Sequence, residues 1–161
     1  MKRISAALLI LGLAGACDQA RPPGSAEAAA SPEGRLRQLV ASNATVVGYL
    51  YSAKEPFLIA SFNNGSLQWR TDPTSNSVIQ GPAELFNRPD RTCIGFAAKN
   101  PSMPAQGPER FLVCEALQPI QYSNALPRSQ DFRLQAGTMF LEYDPPPGTG
   151  YSQLFYAART R

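Results

Sequence analysis

The chain has 161 residues, with 15 basic and 12 acidic side chains, 15 prolines, 12 glycines and no histidine. The lack of histidine excludes Ser-His-Asp and Cys-His hydrolases, histidine-ligated zinc and general-base schemes built on imidazole. Proline and glycine spread along the chain argue for many turns and against long helices.

The chain begins with Lys2 and Arg3, then an apolar run over 4–16, then small residues before a cysteine: Ala14-Gly15-Ala16-Cys17. A spanning helix needs roughly 20 apolar residues, so this shorter run suits the apolar region of a secretory signal. The segment resembles a bacterial lipoprotein signal. That resemblance implies cleavage before Cys17, lipidation of Cys17 (palmitate among the acyl chains) and stable anchoring of the new N-terminus by more than one chain. The family prefers leucine three places before the cysteine; here that residue is Ala14, with Leu13 one place early. An ordinary signal cut near Ala16, leaving a free thiol, is the alternative. Asp18 resembles the inner-membrane retention signal of enteric lipoproteins, which favours the inner membrane over the outer. The implied address is the bacterial cell envelope, lipid-anchored and facing the periplasm.

Loss of Lys2 and Arg3 leaves 15 − 2 = 13 basic side chains against 12 acidic ones. A balance so near zero gives no electrostatic footprint for nucleic acid. Residues 17–30 are small, polar and rich in alanine, proline and glycine. They lack the apolar surface to offset ordering entropy, so they read as a flexible tether carrying the lipidated cysteine. Residues 31–161 remain for one domain.

A short helix opens that domain. Ser31 can cap it, Pro32 suits its first position, Glu33 complements its dipole, and Leu36, Leu39 and Val40 share one face. It should end near Ser42 and Asn43. Strand signals then dominate, over 45–51, 56–62, 67–70, 77–80, 92–98, 110–117, 138–143 and 152–158. Asn64-Gly65 between two of these runs marks a hairpin. The stretch 119–136 reads as an irregular connection or as holding one further short strand or helical turn. The expected fold is mainly β (α+β). It is an antiparallel sheet, as a sandwich or partly open barrel, with one short N-terminal helix and one hairpin disulfide.

The disulfide follows from the cysteine count. Three cysteines are present, and lipidation of Cys17 leaves Cys93 and Cys114 as a pair. If these face each other across an antiparallel ladder, Ile94 opposes Val113 and Phe96 opposes Phe111, all on the face away from the sulfurs. Cysteine pair and apolar pattern thus agree on one register. An oxidising compartment allows the bond to persist. A redox-active pair would more commonly be Cys-x-x-Cys at a helix start.

Chemistry-bearing constellations are few. No Gly-x-Gly-x-x-Gly or Walker loop appears, and with the cysteines lipidated or paired no thiolate site or metal site is expected. Glu142 and Asp144 would share one strand face, read most simply as a solvated edge; Glu84 and Glu115 are isolated. No catalytic residue or cofactor is expected. Two loops suit recognition: 99–109, with Met103 near its tip, and 144–151, where Pro145, Pro146 and Pro147 stiffen a turn that presents Tyr151. Trp69 reads either as a core indole or as an interface anchor. The expected function is non-catalytic binding of a periplasmic or secreted protein, as an inhibitor or immunity protein against an envelope-targeted toxin or hydrolase. The alternatives are an accessory subunit of a secretion or conjugation machine, a carboxylate-dependent hydrolase, and a small-ligand carrier with a barrel interior.

Overall fold

The structure is a computed structural model that describes residues 30–49, 57–71, 74, 76–99, 106–122, 132–149 and 154–161. Cys17, Met103 and Tyr151 lie outside the described residues, as do the signal and most of the tether. Among the described residues no helix is long and apolar enough to cross a membrane.

Helix α1, Pro32–Ala41, starts where the capping signals place it. Ser31 is the N-cap, and its side chain accepts a hydrogen bond from Gly34 N at 3.0 Å. Ser42 is the C-cap, and Asn43 turns the chain at φ 51°. Eleven strands follow: β1 Thr45–Tyr49, β2 Leu58–Asn63, β3 Ser66–Arg70, β4 Ile79–Pro82, β5 Glu84–Arg88, β6 Arg91–Ala98, β7 Glu109–Ala116, β8 Ile120–Tyr122, β9 Phe132–Leu134, β10 Met139–Asp144 and β11 Leu154–Thr160. Nine form one antiparallel sheet in the order β4-β3-β2-β1-β11-β10-β7-β6-β5, and β8 pairs with β9 alone. Asn64 and Gly65 both have positive φ, at 47° and 77°. This is the left-handed pair that a two-residue hairpin between β2 and β3 demands.

The fold is the mainly β, antiparallel class that the residue pattern indicates. Its strand β5 has no counterpart in the sequence-based assignment, and 119–136 yields two short strands rather than one. The sheet's outermost strands, β4 and β5, are separated in the chain by Ala83 alone. The sheet must therefore curl until its two ends approach. A Cβ at Gly81 would come within 2.7 Å of the Phe96 ring, so β4 can lie over β6 only because residue 81 has no side chain. No ladder joins β4 to β5, and the curl stays a partly open barrel.

The ladder between β6 and β7 sets Cys93 opposite Cys114, Ile94 opposite Val113 and Phe96 opposite Phe111. The disulfide forms at this rung. Strand alternation sends the two sets to different faces. Ile94, Phe96, Phe111 and Val113 join Leu36, Val46, Trp69 and Leu141 in the core inside the curl. Cys93 and Cys114 pack outside with Leu112 and Phe140, where Ile120 and Leu134 of the small β8–β9 ladder cover them.

The two ends of the curl differ. At one end α1 buries Leu36 completely, and Arg35 pairs with Glu115 near the end of β7. Tight two-residue turns lie here, Asn64-Gly65 and Pro89-Asp90. At the other end lie four connections between strands of the sheet, 50–57, 71–78, 99–108 and 145–153, eight to ten residues each, while the longest, 117–138 between β7 and β10, leaves from the helix end and carries the β8–β9 ladder. Loops gathered at one end of a rigid sheet are a common place for binding.

Candidate functional site

At the loop-bearing end the core does not fill the curl. A cleft of about 350 Å³ opens there, inside the range typical of ligand pockets, ~300–1,000 Å³. Strand alternation supplies its lining. Leu58 of β2, Trp69 of β3 and Ile79 of β4 form one wall, and Phe111 of β7, Tyr143 of β10 and Tyr156 of β11 the other. Phe57, just before β2, stacks on Tyr156 with centroids 5.9 Å apart.

The rings form a connected array. Phe111 lies 5.6 Å from Trp69, 5.1 Å from Phe96 and 5.3 Å from Tyr143, centroid to centroid. Such contacts add rigidity beyond simple burial. Trp69 and Phe111 are the floor, at 1% and 2% exposed, whereas Phe57 and Ile79 stand at the mouth, each 39% exposed. Large apolar side chains left in water around an apolar cleft mark a contact surface. One charged side chain, Glu109, lies in this described lining. It opens β7 two residues before Phe111, on the same face, and Tyr143 Oη donates to its Oε2 at 3.2 Å.

The loops singled out in the sequence meet beside this cleft. A Cβ at Gly107 would lie 3.0 Å from Pro147 Cδ, so the end of the 99–109 loop rests against the proline turn. Pro145 and Pro146 are buried within the fold, and only Pro147 of the three is exposed. Trp69 is a core indole that also floors the cleft. Phe57, Ile79, Glu109, Phe111, Tyr143 and Tyr156 were not selected from sequence. Their signal is that aromatic residues recur on inward positions near the loop-proximal ends of strands.

The carboxylates Glu142 and Asp144 share one face, but not a solvated edge. β10 is an interior strand, and the two are buried, at 0% and 8% exposed. They stand outside the curl beside the disulfide, where arginines on neighbouring strands reach them. Arg88 Nη1 donates to Glu142 Oε1 at 2.9 Å, and its Nη2 to Asp144 Oδ2 at 2.6 Å. Arg110 Nη1 reaches the same Asp144 oxygen at 3.1 Å. Arg91 Nε lies 2.9 Å from Glu142 Oε2, an ion-pair distance off the hydrogen-bond direction, and Arg91 Nη1 donates to Asp90 at 2.9 Å. Burial raises the Glu142 pKa above the ordinary carboxylate value; Arg91 and Arg88 pull it down without cancelling that rise.

This network is a structural clasp across β5, β6, β7 and β10. Glu142 Oε2 also lies 3.6 Å from Cys114 Sγ, yet with the sulfurs bonded to each other there is no thiolate for it to act on. Glu115 is likewise engaged, by Arg35, and Glu84 is exposed on β5. The described geometry thus gathers aromatic and exposed apolar side chains at the cleft and ties the buried carboxylates to arginines. No family model, curated protein or solved structure matches the chain.

Proposed function

We propose that this chain is a lipid-anchored protein of the bacterial cell envelope whose domain binds another protein without catalysis. The observation that carries this reading is the aromatic cleft at the end of the sheet where four connections converge, with Phe57 and Ile79 exposed at its mouth. Buried aromatic walls with exposed apolar rims suit the anchoring pockets of protein interfaces. A partner that is a toxin or hydrolase acting in the envelope makes the domain an inhibitor or immunity protein. The address is supported by the basic start, the short apolar run and Ala14-Gly15-Ala16-Cys17.

Two experiments test the parts separately. Metabolic labelling with a palmitate analogue should mark the wild-type chain and not Cys17→Ser; equal labelling contradicts the anchor. The mature oxidised chain, used as bait on periplasmic and secreted extracts, should retain one stoichiometric partner and suppress that partner's activity. A retained secretion-machine component would point to the accessory role instead. Reproducible retention of nothing would contradict protein binding.

A further inference from the structure

Resting on the binding role of the cleft, we propose that the partner docks by adding an extended strand to the outer edge of β4, with an apolar side chain of that strand over the mouth of the cleft. β4 ends the sheet, and among the described residues no strand pairs with its outer side. The ladder to β3 fixes which backbone groups that side presents. Ala83 N donates to Gly65 O at 2.9 Å, so this rung is hydrogen-bonded. Bonded and non-bonded rungs alternate along an antiparallel pair. Gly81–Leu67 and Ile79–Trp69 are therefore bonded rungs, and Pro82–Ser66 and Gln80–Gln68 are not. The N–H and C=O of Gln80 and the C=O of Pro82 thus point away from β3, and both residues are exposed. Backbone groups set out in this way along an edge are a template for another extended backbone.

The composition of the two end strands favours β4. It reads Ile-Gln-Gly-Pro, without charge, whereas β5 carries Glu84 and Arg88, and charges on an edge discourage pairing. The cleft joins this edge through one row of residues. Ala60, Trp69 and Ile79 lie side by side across β2, β3 and β4, and Trp69 and Ile79 line the cleft. An added strand continues that row. Its residue beside Ile79 covers a side chain that is 39% exposed without it, and such cross-strand neighbours are what stabilises a sheet. Pro82, with no N–H to offer, stands where β4 passes to β5 and limits the added strand at that end.

Trp69 is the single tryptophan of the chain and pairs with Ile79 on that row, so its fluorescence reports docking directly. The probe is acetyl-Lys-Thr-Val-Thr-Val-Thr-Lys-amide, titrated into the mature, oxidised chain. Two N-methylated forms accompany it, one methylated at the valine amides and the other at the threonine amides. Successive amides of a strand point to opposite sides, and only one side faces β4. The unmodified probe should give a saturable change in Trp69 emission. One methylated form should then bind about tenfold weaker or worse, through lost hydrogen bonds, and the other within about threefold of the unmodified probe. Gln80→Pro removes an N–H that the ladder to β3 does not use, so the fold should hold. Checked for folding by circular dichroism, it should weaken the probe about tenfold, whereas Gln80→Ala, which keeps the N–H, should leave affinity within about threefold. Should Gln80→Pro unfold, the methylated pair decides. Equal affinity of the two methylated forms, or of wild type and a folded Gln80→Pro, would overturn strand addition while leaving the cleft as a contact site. No response to the unmodified probe would overturn strand addition as well. The binding role of the cleft is read separately, by comparing capture with wild-type and Ile79→Asp bait.

Discussion

Replacing Glu142 with leucine should destabilise the domain by about 3 kcal/mol, at the lower end of the ~3–5 kcal/mol cost of orphaning a buried ion-pair partner. The lower end applies because the orphaned charges are unequal. Arg91 is only 7% exposed in its side chain and loses its pairing with Glu142, although Asp90 still holds its Nη1. Arg88 is 27% exposed and keeps Asp144. For a domain of this size, about 3 kcal/mol corresponds to a fall of ~10 °C in Tm. Urea unfolding monitored by far-UV circular dichroism would measure it, with an unchanged m value showing that the variant still unfolds as one unit. The double change Arg91→Leu with Glu142→Leu should recover a good part of the loss, because it also removes the buried guanidinium that has lost its Glu142 contact. A loss under about 1 kcal/mol for the single change, no more than an exposed ion pair contributes, would refute the buried clasp.

The same residue sets a pH dependence. Burial raises the folded-state pKa of Glu142 above its ordinary 4.5. Its contribution is therefore fully present below the unfolded value and is lost as pH rises through the folded one. The stability of wild type minus that of Glu142→Gln should decline as pH rises from about 4 toward neutrality, and a difference that grows with pH would contradict this. Reducing the disulfide, or changing Cys93 and Cys114 to alanine, should cost about 3 kcal/mol for the loop it closes, read as a fall in the urea midpoint. Gly81→Val should cost about 1–3 kcal/mol, because its Cβ would meet the Phe96 ring at 2.7 Å, measurable by thermal melting. Ser31→Ala should cost about 1 kcal/mol through loss of the N-cap bond to Gly34, by the same assay.

The local chemistry of the chain made much of the fold legible. Ser31-Pro32-Glu33 located the helix start, Asn64-Gly65 the tight hairpin, and the two cysteines with their apolar neighbours the register of β6 on β7. β5 was illegible because it is an end strand paired on one side only, so Glu84, Leu85, Phe86, Asn87 and Arg88 show no clean alternation. Its existence depends on Phe86 packing toward the disulfide cluster and Arg88 reaching Glu142. The second of these contacts joins residues 54 apart, beyond any local pattern.

The same distance hid the site. The Glu142–Asp144 pair looks like a polar strand edge when only β10 is read, and becomes a buried clasp once β5, β6 and β7 bring arginines to it. Trp69 could be recognised as core, but its second role requires Phe111, Tyr143 and Tyr156 from three other strands. Curling of the sheet, forced by the one-residue link between β4 and β5, is what brings these rings together.

The most direct test of a binding role for the cleft is a paired capture with wild-type bait and Ile79→Asp bait, both mature and oxidised. Ile79 stands 39% exposed on an end strand, so the charge should leave the fold intact while spoiling the apolar mouth. One partner should be retained by wild type and lost, or weakened at least tenfold, with Ile79→Asp. A partner held equally by both baits would contradict that role.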